Sequence, residues 1–259
     1  MVAYILMAII AYLIGSISSS VIISKKMAGF DVRERGSGNA GSTNVLRTVG
    51  KKAALITLIC DILKGVVTIL VSIIIGLIAK NADKAILLEI AGLLVVVGHT
   101  FPVFFKFKGG KGVATSLGVL LMTNWKIGLI CLIFALALMI TTKMVSLGSI
   151  SAAVLFAVLT LFIREGYIID YSWTYIIYAI LLAALVIFNH RSNLKRIMNG
   201  TENKLDLSKF KKGKAEDKNE EKPEEKPEEK PEERTEEKPE EKVEEKEEEK
   251  IENEEKTEE

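Results

Sequence analysis

The sequence predicts an all-α fold: a polytopic membrane protein with seven transmembrane helices, its amino terminus outside and its carboxyl terminus in the cytoplasm. Long apolar segments recur over the first four fifths of the chain, and basic residues concentrate in alternate loops. The end of the chain is rich in Glu, Lys and Pro. We therefore predict a membrane domain at 1–205 and a disordered cytoplasmic tail at 206–259.

The apolar segments define the predicted helices. A spanning helix needs about 20 apolar residues, whereas 10 to 14 can also form a re-entrant or buried helix. Two of the seven segments fall into the shorter class. In chain order the segments are Val2–Ile23, Ala53–Ala79, Ala85–Phe105, Val113–Met122, Ile127–Ile140, Met144–Ile163 and Trp173–Phe188.

The basic loops fix the expected orientation. Residues 25–52 carry seven Lys or Arg side chains, so the positive-inside bias places this loop in the cytoplasm. The cluster Lys106–Lys111 follows after two crossings and also falls inside. If both short segments cross the membrane, the basic stretch His190–Lys204 lies inside as well. If only one of them crosses, this stretch lies outside, against the positive-inside bias. We therefore predict seven crossings.

The tail differs in charge from the body. Residues 214–259 have a net charge of −13, and residues 1–213 have one of +14. The tail has almost no apolar side chains to bury, and prolines recur at Pro223, Pro227, Pro231 and Pro239. Such a composition cannot offset the entropy of folding, so we expect disorder and assign the tail no chemistry.

The first polar cluster lies in the loop after the first helix, with the sequence GSGNAGSTNVLR from Gly36 to Arg47. Glycines allow a ligand to approach the backbone closely, and successive N–H groups form a concavity for anions. An arginine adds a bidentate fork for phosphate. The GxGxxG match at Gly36, Gly38 and Gly41 does not indicate a dinucleotide site, because a membrane helix precedes it instead of a strand.

The second cluster, GHTFPVFFKFKGGKG, begins at Gly98 and ends at Gly112 before the next apolar segment. A glycine and lysine loop that leads into a helix amino terminus combines backbone donors, the helix dipole and cationic side chains, all of which favour phosphate. It is not a P-loop, because Gly112 stands where Ser or Thr should follow the lysine.

The third cluster, HRSNLKR, follows the last helix at His190–Arg196 and continues to Lys204. Its basic side chains could simply bind anionic lipid headgroups. His190 and Asn193 share one face of a helix. The two histidines of the chain, His99 and His190, both lie in these clusters.

Asp61 and Lys64 are spaced i, i+3 inside the second predicted helix. Ionisable groups within a membrane must be paired or face a polar cavity, so we predict a buried structural ion pair, with contact to a polar substrate as the alternative.

The clusters predict a cytoplasmic pocket for one or two phosphates. No Cys/His set or carboxylate cluster indicates a metal, and no GxSxG elbow is present. We therefore expect no cofactor or metal, and no nucleic-acid partner. A transporter for a phosphorylated solute would also suit these donors, although transporter sites usually lie at the membrane midplane. A membrane scaffold is a further alternative.

The stretches GSGNAGSTNVLRT, GHTFPVFFKFKGGKGVAT and HRSNLKRIMNGTENK resemble, in order and position, the three cytoplasmic motifs of the bacterial acyl-phosphate:glycerol-3-phosphate acyltransferases, the PlsY family. The resemblance covers residues 1–205. Ala40 stands where the family usually has proline, and Ser42 where it usually has alanine; we expect these changes to adjust loop stiffness only.

The resemblance implies transfer of a fatty acyl group from acyl phosphate to the sn-1 hydroxyl of glycerol 3-phosphate, at the cytoplasmic face of the bacterial cell membrane. Both substrates and membrane lipid are the expected partners; soluble or peripheral enzymes of phospholipid synthesis are left open. The HxxxxD motif of coenzyme-A-dependent acyltransferases is absent, because Phe104 and Lys195 occupy the aspartate positions.

The resemblance also implies the site residues. The expected catalytic residues are Ser37, His99, His190 and Asn193. Arg47 and the loop Gly109–Gly112 are assigned to phosphate charge, and Ser37 and Asn193 to hydrogen bonds with the reacting groups. The proton acceptor, a histidine or the departing phosphate, stays open. The expected substrate-binding residues are Gly36, Gly38, Asn39, Thr43, Asn44, Arg47, Lys108, Gly109, Gly110, Lys111, Gly112 and Glu202, which could orient Arg or Lys side chains.

Overall fold

The computed structural model describes residues 1–163 and 173–205, and all regular structure in those ranges is helical. The α-helices of these two described ranges are α1 Val2–Gly15, α2 Ser19–Ala28, α3 Ser42–Thr48, α4 Lys51–Ile78, α5 Lys84–Thr100, α6 Val113–Thr123, α7 Trp125–Thr142, α8 Val145–Phe162, α9 Trp173–Asn189 and α10 Arg191–Met198. The tail predicted at 206–259 lies outside the described residues.

The predicted membrane architecture is confirmed in its coarse form. Within the described residues, five segments are long and apolar enough to span a membrane. A sixth arises if α9 and α10, which meet at a bend of 62°, count as one span. Helix α6 is apolar but shorter than a full crossing. The protein is thus a multi-pass helical membrane protein, and the seventh crossing stays a prediction.

The first span differs from the single helix predicted at Val2–Ile23. The helix breaks after α1 and resumes as α2, which continues to Ala28. At the break, the Ser16 hydroxyl donates to the Tyr12 carbonyl over 2.8 Å. The ammonium of Lys64 donates to the exposed carbonyl of Ile17 over 3.1 Å. The break is stable because side chains satisfy backbone groups that an intact helix would satisfy itself.

Two glycine contacts bring the helices that carry the site together. A Cβ on Gly15 would lie 2.2 Å from the Val95 carbonyl oxygen, so α1 packs directly on the backbone of α5. A Cβ on Gly118 would lie 2.1 Å from the Ile62 carbonyl oxygen, where α6 meets α4. Small residues allow such close approach in membranes, where packing drives helix association. These contacts hold α5 against α1 and α6 against α4.

The core lies along α5, which contributes buried side chains including Leu87, Ala91 and Val95. Aromatic side chains of α8 and α9 close it on one side: Phe156 packs edge-on against Tyr175 and Tyr178, with ring centroids 6.4 Å away in each pair.

Candidate active site

A cavity of about 320 Å³ opens where the three polar clusters meet. The first cluster contributes residues 37–39, the second contributes Thr100 and 107–111, and the third contributes residues of α10, next to Asn189 at the end of α9. The lining is dominated by hydroxyl, amide and cationic side chains with glycine backbone between them. The complete lining is Ser37, Gly38, Asn39, Thr100, Phe107, Lys108, Gly109, Gly110, Lys111, Asn189, Arg191, Ser192 and Arg196.

Asn44 organises the first loop from the start of α3. Its side-chain oxygen accepts from the Ser37 backbone N–H over 2.9 Å. Its amide nitrogen donates to the carbonyls of Val32, Arg35 and Asn39 over 2.9–3.1 Å. The buried amide of Asn44 therefore shapes the loop that presents Ser37. The expected contact of Asn44 with substrate stays a prediction.

Gly36 is required beside Asn44. It has a positive φ of 63°, and a Cβ there would lie 2.3 Å from the Asn44 side-chain oxygen. Any other residue would strain the backbone and displace the amide that organises the loop.

The second loop is pinned at two successive glycines. The Gly109 N–H donates to the Thr100 carbonyl, and the Gly110 N–H donates to the His99 carbonyl, over 3.1 and 3.0 Å. A Cβ on Gly110 would lie 2.1 Å from His99 Nε2, so the loop packs directly on the imidazole. The Ala40 N–H donates to the Gly109 carbonyl over 3.3 Å and joins the first loop to the second. A proline at position 40 could not donate this bond.

Lys111 and Glu202 are joined through Asn193. The Lys111 ammonium donates to the Asn193 side-chain oxygen. The Asn193 amide nitrogen donates to Glu202 Oε1 over 2.7 Å. Asn193 thus holds Lys111 next to Glu202, and the prediction that it also hydrogen-bonds the reacting groups stays a prediction.

Glu202 is a buried carboxylate that ties three elements together. It also accepts from the Ser146 hydroxyl at the start of α8 and from Arg196 Nε, each over 2.9 Å. Burial opposes ionisation, but the hydrogen bonds from Asn193, Ser146 and Arg196 together lower the pKa of Glu202. Glu202 thus contacts a basic side chain at Arg196, and its expected role in the site stays a prediction.

The electrostatics of Lys111 reflect its half-buried position. Burial lowers the pKa of the Lys111 ammonium to about 8. The charge of Glu202 raises this pKa, and the charges of Arg196 and Arg47 lower it further. The positive charges of Lys111, Arg196 and Arg47, from three separate segments, therefore repel one another here. A multiply charged anion bound among them would reduce this repulsion.

The two histidines lie in separate buried surroundings. His99 Nδ1 lies 3.6 Å from Asp61 Oδ1, and Asp61 pairs with Lys64 over 2.8 Å. The predicted Asp61–Lys64 ion pair is confirmed. His190 Nδ1 lies 2.8 Å from the Val186 carbonyl oxygen, which can only accept, so Nδ1 carries the proton.

The comparisons with known proteins agree with this geometry. Residues 5–200 match the family described as glycerol-3-phosphate acyltransferase. A protein of that name from Clostridioides difficile (strain 630) is 43% identical and covers 80% of this chain and 98% of its own length. One from Thermoanaerobacter sp. (strain X514) is 46% identical, with coverages of 78% and 95%.

The chain belongs to the glycerol-3-phosphate acyltransferase family.

Solved structures of PlsY (YgiH), described as an integral membrane glycerol 3-phosphate acyltransferase, have the same fold. The glycerol 3-phosphate form has a TM-score of 0.69 and 35% identity and covers 80% of this chain and 98% of that chain. The lysophosphatidic acid form has a TM-score of 0.66 and 34% identity, with coverages of 78% and 95%. The membrane domain therefore shares both fold and sequence with this family of acyltransferases.

The cavity of this acyltransferase-family chain includes part of the predicted site. Seven predicted residues line it: Ser37, Gly38, Asn39, Lys108, Gly109, Gly110 and Lys111. Among the described residues, the other predicted positions are not part of the lining; these are Gly36, Thr43, Asn44, Arg47, His99, Gly112, His190, Asn193 and Glu202.

Other lining residues were not singled out from the sequence. Thr100 and Asn189 lie next to the two histidines in sequence, and the Asn189 amide donates to the Thr100 hydroxyl over 3.1 Å. Adjacency to the histidines was the signal available for these two. Phe107, Arg191, Ser192 and Arg196 lie within the recognised motif stretches, but residue type alone did not distinguish them from their neighbours.

Proposed function

We propose that the chain transfers a fatty acyl group from acyl phosphate to the sn-1 hydroxyl of glycerol 3-phosphate, producing lysophosphatidic acid and phosphate. The observation that carries this proposal is the cavity itself. Hydroxyl donors of one loop, a glycine and lysine loop, and the basic end of the last helix pair all border a single space. That space can neutralise phosphate groups while its hydroxyls and amides orient a polyol.

The chemistry requires mainly orientation and charge stabilisation. Acyl phosphate is a mixed anhydride, so the substrate hydroxyl attacks the acyl carbon, the new ester bond forms, and the carbon–oxygen bond to phosphate breaks. Fixed cations and backbone donors can stabilise the departing phosphate and hold the two substrates in register. We assign this task to Lys111, Lys108 and Arg47, since the N–H groups of Gly109 and Gly110 already donate to the carbonyls of Thr100 and His99. Ser37 lines the cavity and is assigned to hydrogen bonding with a reacting group.

The hydroxyl proton needs an acceptor. Both histidines lie outside the cavity lining, and His99 is occupied beside Asp61. We therefore assign the proton to the departing phosphate, which is released next to the hydroxyl that it must deprotonate. The positioning of Lys111 by Asn193 and Glu202 then serves the same phosphate.

The proposed topology places this cavity in the cytoplasm of a bacterial cell. Seven crossings, with the amino terminus outside, put all three basic clusters on one side, as the positive-inside bias requires. In this topology the apolar helix faces hold the acyl chain toward the bilayer. In this proposal residues 1–205 form the acyltransferase domain, and the tail expected at 206–259 lies outside the described residues.

The proposal is tested by giving the purified protein glycerol 3-phosphate with palmitoyl phosphate and, separately, with palmitoyl-coenzyme A, while lysophosphatidic acid is measured. Product from acyl phosphate alone would support the reaction and the donor. Product from the thioester alone would contradict the donor. No product from either by a folded sample would contradict the reaction, and uptake of phosphorylated solutes into proteoliposomes would then be measured.

Arg47→Ala should lower kcat/KM for the phosphate substrates about 10- to 100-fold, because a charge-assisted hydrogen bond contributes about 1.5–3 kcal/mol. Arg47 is exposed on α3 and close enough to Lys111 to lower its pKa. Steady-state kinetics would measure the loss, and membrane insertion should be unchanged. Lys52→Ala, an exposed cation at the start of α4, is the matched control. An Arg47→Ala rate equal to that of the control would contradict the assignment.

Deleting residues 215–259 should leave specific activity within about twofold of the full chain. The match to the acyltransferase family ends at residue 200, and the deleted segment has almost no apolar residues with which to pack on the membrane domain. Activity per mole of folded protein, assayed in the same detergent, measures this. A loss of tenfold or more would show that the tail takes part in turnover.

A further inference from the structure

Arg33 connects the segment just before the first polar cluster to the second loop. From the short 3₁₀ turn Val32–Glu34, its Nη1 donates to the Phe105 carbonyl over 2.7 Å and to the Lys108 carbonyl over 3.1 Å. These two carbonyls bracket Lys106 and Phe107. A single guanidinium group therefore holds both ends of the turn that leads into Gly109 and Lys111.

Asp31 fixes the guanidinium in this orientation. Its Oδ1 accepts from Arg33 Nε over 2.9 Å, and its Oδ2 accepts from Nη2 over 2.7 Å, which is the planar fork that Arg forms with carboxylate. Its Oδ1 also accepts from the Arg33 backbone N–H over 3.0 Å. The hydrogen bonds with Arg33 hold the pKa of Asp31 at about 2, so the carboxylate stays ionised throughout the neutral range.

The bracketed turn needs an external support. Lys106 and Phe107 both have φ of 57°, the left-handed region that side chains other than Gly rarely adopt. Two such residues in succession persist only where surrounding contacts determine the conformation. Within the turn, the Phe107 N–H donates to the Pro102 carbonyl and the Lys108 N–H donates to the Phe105 carbonyl, over 3.0 and 3.3 Å. From outside the loop, Arg33 adds its hydrogen bonds to the carbonyls of Phe105 and Lys108.

We infer that Asp31 and Arg33 form a positioning pair for the reaction, which sets the left-handed turn at 106–107 and thereby the Lys108–Lys111 segment that borders the cavity. The effect of this pair on substrates rests on the proposed function, whereas its effect on the turn does not. Arg33 does not act on substrate directly. Its Nε, Nη1 and Nη2 all donate within the protein, and it is not among the described residues that line the cavity.

The kinetic test compares Arg33→Ala with Arg35→Ala. Arg35 lies two residues further on and has the same charge, but its guanidinium stacks on the Phe30 ring at 3.8 Å instead of reaching the second loop. Arg33→Ala should raise KM for at least one of glycerol 3-phosphate and palmitoyl phosphate about tenfold or more, with kcat within about threefold of the unmodified chain. Arg35→Ala should leave both KM values unchanged.

Two further variants separate the carbonyl contacts from the ion pair. Arg33→Lys keeps the charge, but one ammonium cannot serve the carboxylate and both carbonyls, so its KM should lie between those of the unmodified chain and Arg33→Ala. The exchange Asp31→Arg with Arg33→Asp keeps an ion pair but turns a carboxylate toward the two carbonyls, so it should not restore KM. Recovery of KM in the exchanged chain would overturn the inference.

Amide hydrogen exchange tests the turn without relying on turnover. The N–H groups of residues 107–110 should exchange at least tenfold faster in Arg33→Ala and at the original rate in Arg35→Ala. Unchanged exchange in a folded Arg33→Ala sample would overturn the inference, and so would faster exchange with unchanged KM values. If Arg33→Ala does not fold, Arg33→Lys takes its place in both measurements. If the unmodified chain makes no product, the proposed function fails, and the exchange data alone decide whether Arg33 sets the turn.

Discussion

Lys111→Met should reduce kcat/KM with acyl phosphate and glycerol 3-phosphate by about 10² to 10³, the loss typical of removing one preorganised charge-stabilising group from an active site. Lys111 borders the cavity, and its ammonium is held by Asn193, which Glu202 holds in turn. A cation that is fixed before the substrate arrives needs no reorganisation as phosphate charge develops. Methionine has a similar length and no charge, so the packing is largely kept.

The control for this substitution is Lys195→Met, which removes an exposed cation from the same helix as Asn193. Rates would be measured for the two variants and the unmodified chain at equal amounts of folded protein. A loss of less than about tenfold in Lys111→Met, or an equal loss in Lys195→Met, would contradict a direct role of Lys111 in stabilising phosphate charge.

The same residue predicts a pH dependence. Because burial lowers the pKa of Lys111 to about 8, the side chain is cationic below that pH and loses its charge as the pH rises through it. We therefore expect kcat/KM to fall above about pH 8. Lys111→Arg should keep its charge and flatten this basic limb, since Arg stays protonated at these pH values.

Lys64→Met should destabilise the folded membrane domain by about 3–5 kcal/mol, because it leaves a buried carboxylate without its partner. The side chains of Asp61 and Lys64 are only 3% and 7% exposed, and the two atoms of the pair are 2.8 Å apart. The substitution also removes the donor to the Ile17 carbonyl at the break between α1 and α2. Thermal unfolding in detergent would measure the loss.

The double variant Asp61→Leu with Lys64→Met should be more stable than Lys64→Met alone, because it no longer buries an unpaired charge. Lys126→Met, at an exposed lysine in the first turn of α7, should change stability by less than about 0.5 kcal/mol. Equal unfolding of Lys64→Met and Lys126→Met would show that the pair contributes nothing to stability.

The sequence predicted the parts of this protein that follow from composition and local pattern. The apolar segments predicted the helices, because the absence of water in a bilayer forces any spanning segment to satisfy its backbone internally. The i, i+3 spacing within an apolar segment predicted the Asp61–Lys64 pair, because an isolated charge there is too costly to leave unpaired. The glycine-rich motifs predicted where polar loops would gather, and they identified the family.

The tertiary structure decided which polar groups face the cavity and which support it. Asn44 hydrogen-bonds backbone groups of its own loop, and Asn193 joins Lys111 to Glu202; residue type alone predicted neither set of contacts. Arg33 looked in the sequence like one more topology-setting cation, but it reaches carbonyls more than seventy residues away. Hydrogen-bond partners of this kind depend on the direction of each side chain in space, and direction is not a property of local sequence.

The break in the first span also depends on a hydrogen-bond partner that is distant in sequence. Val2–Ile23 reads as one apolar helix because serine costs little in such a pattern, and nothing local forces it to end at Ser16. The helix can break there because Lys64, from another helix, donates to the released Ile17 carbonyl. Composition determined that this segment would lie in the membrane, whereas a partner distant in sequence decided its shape, because a freed backbone group in an apolar medium is stable only where another residue satisfies it.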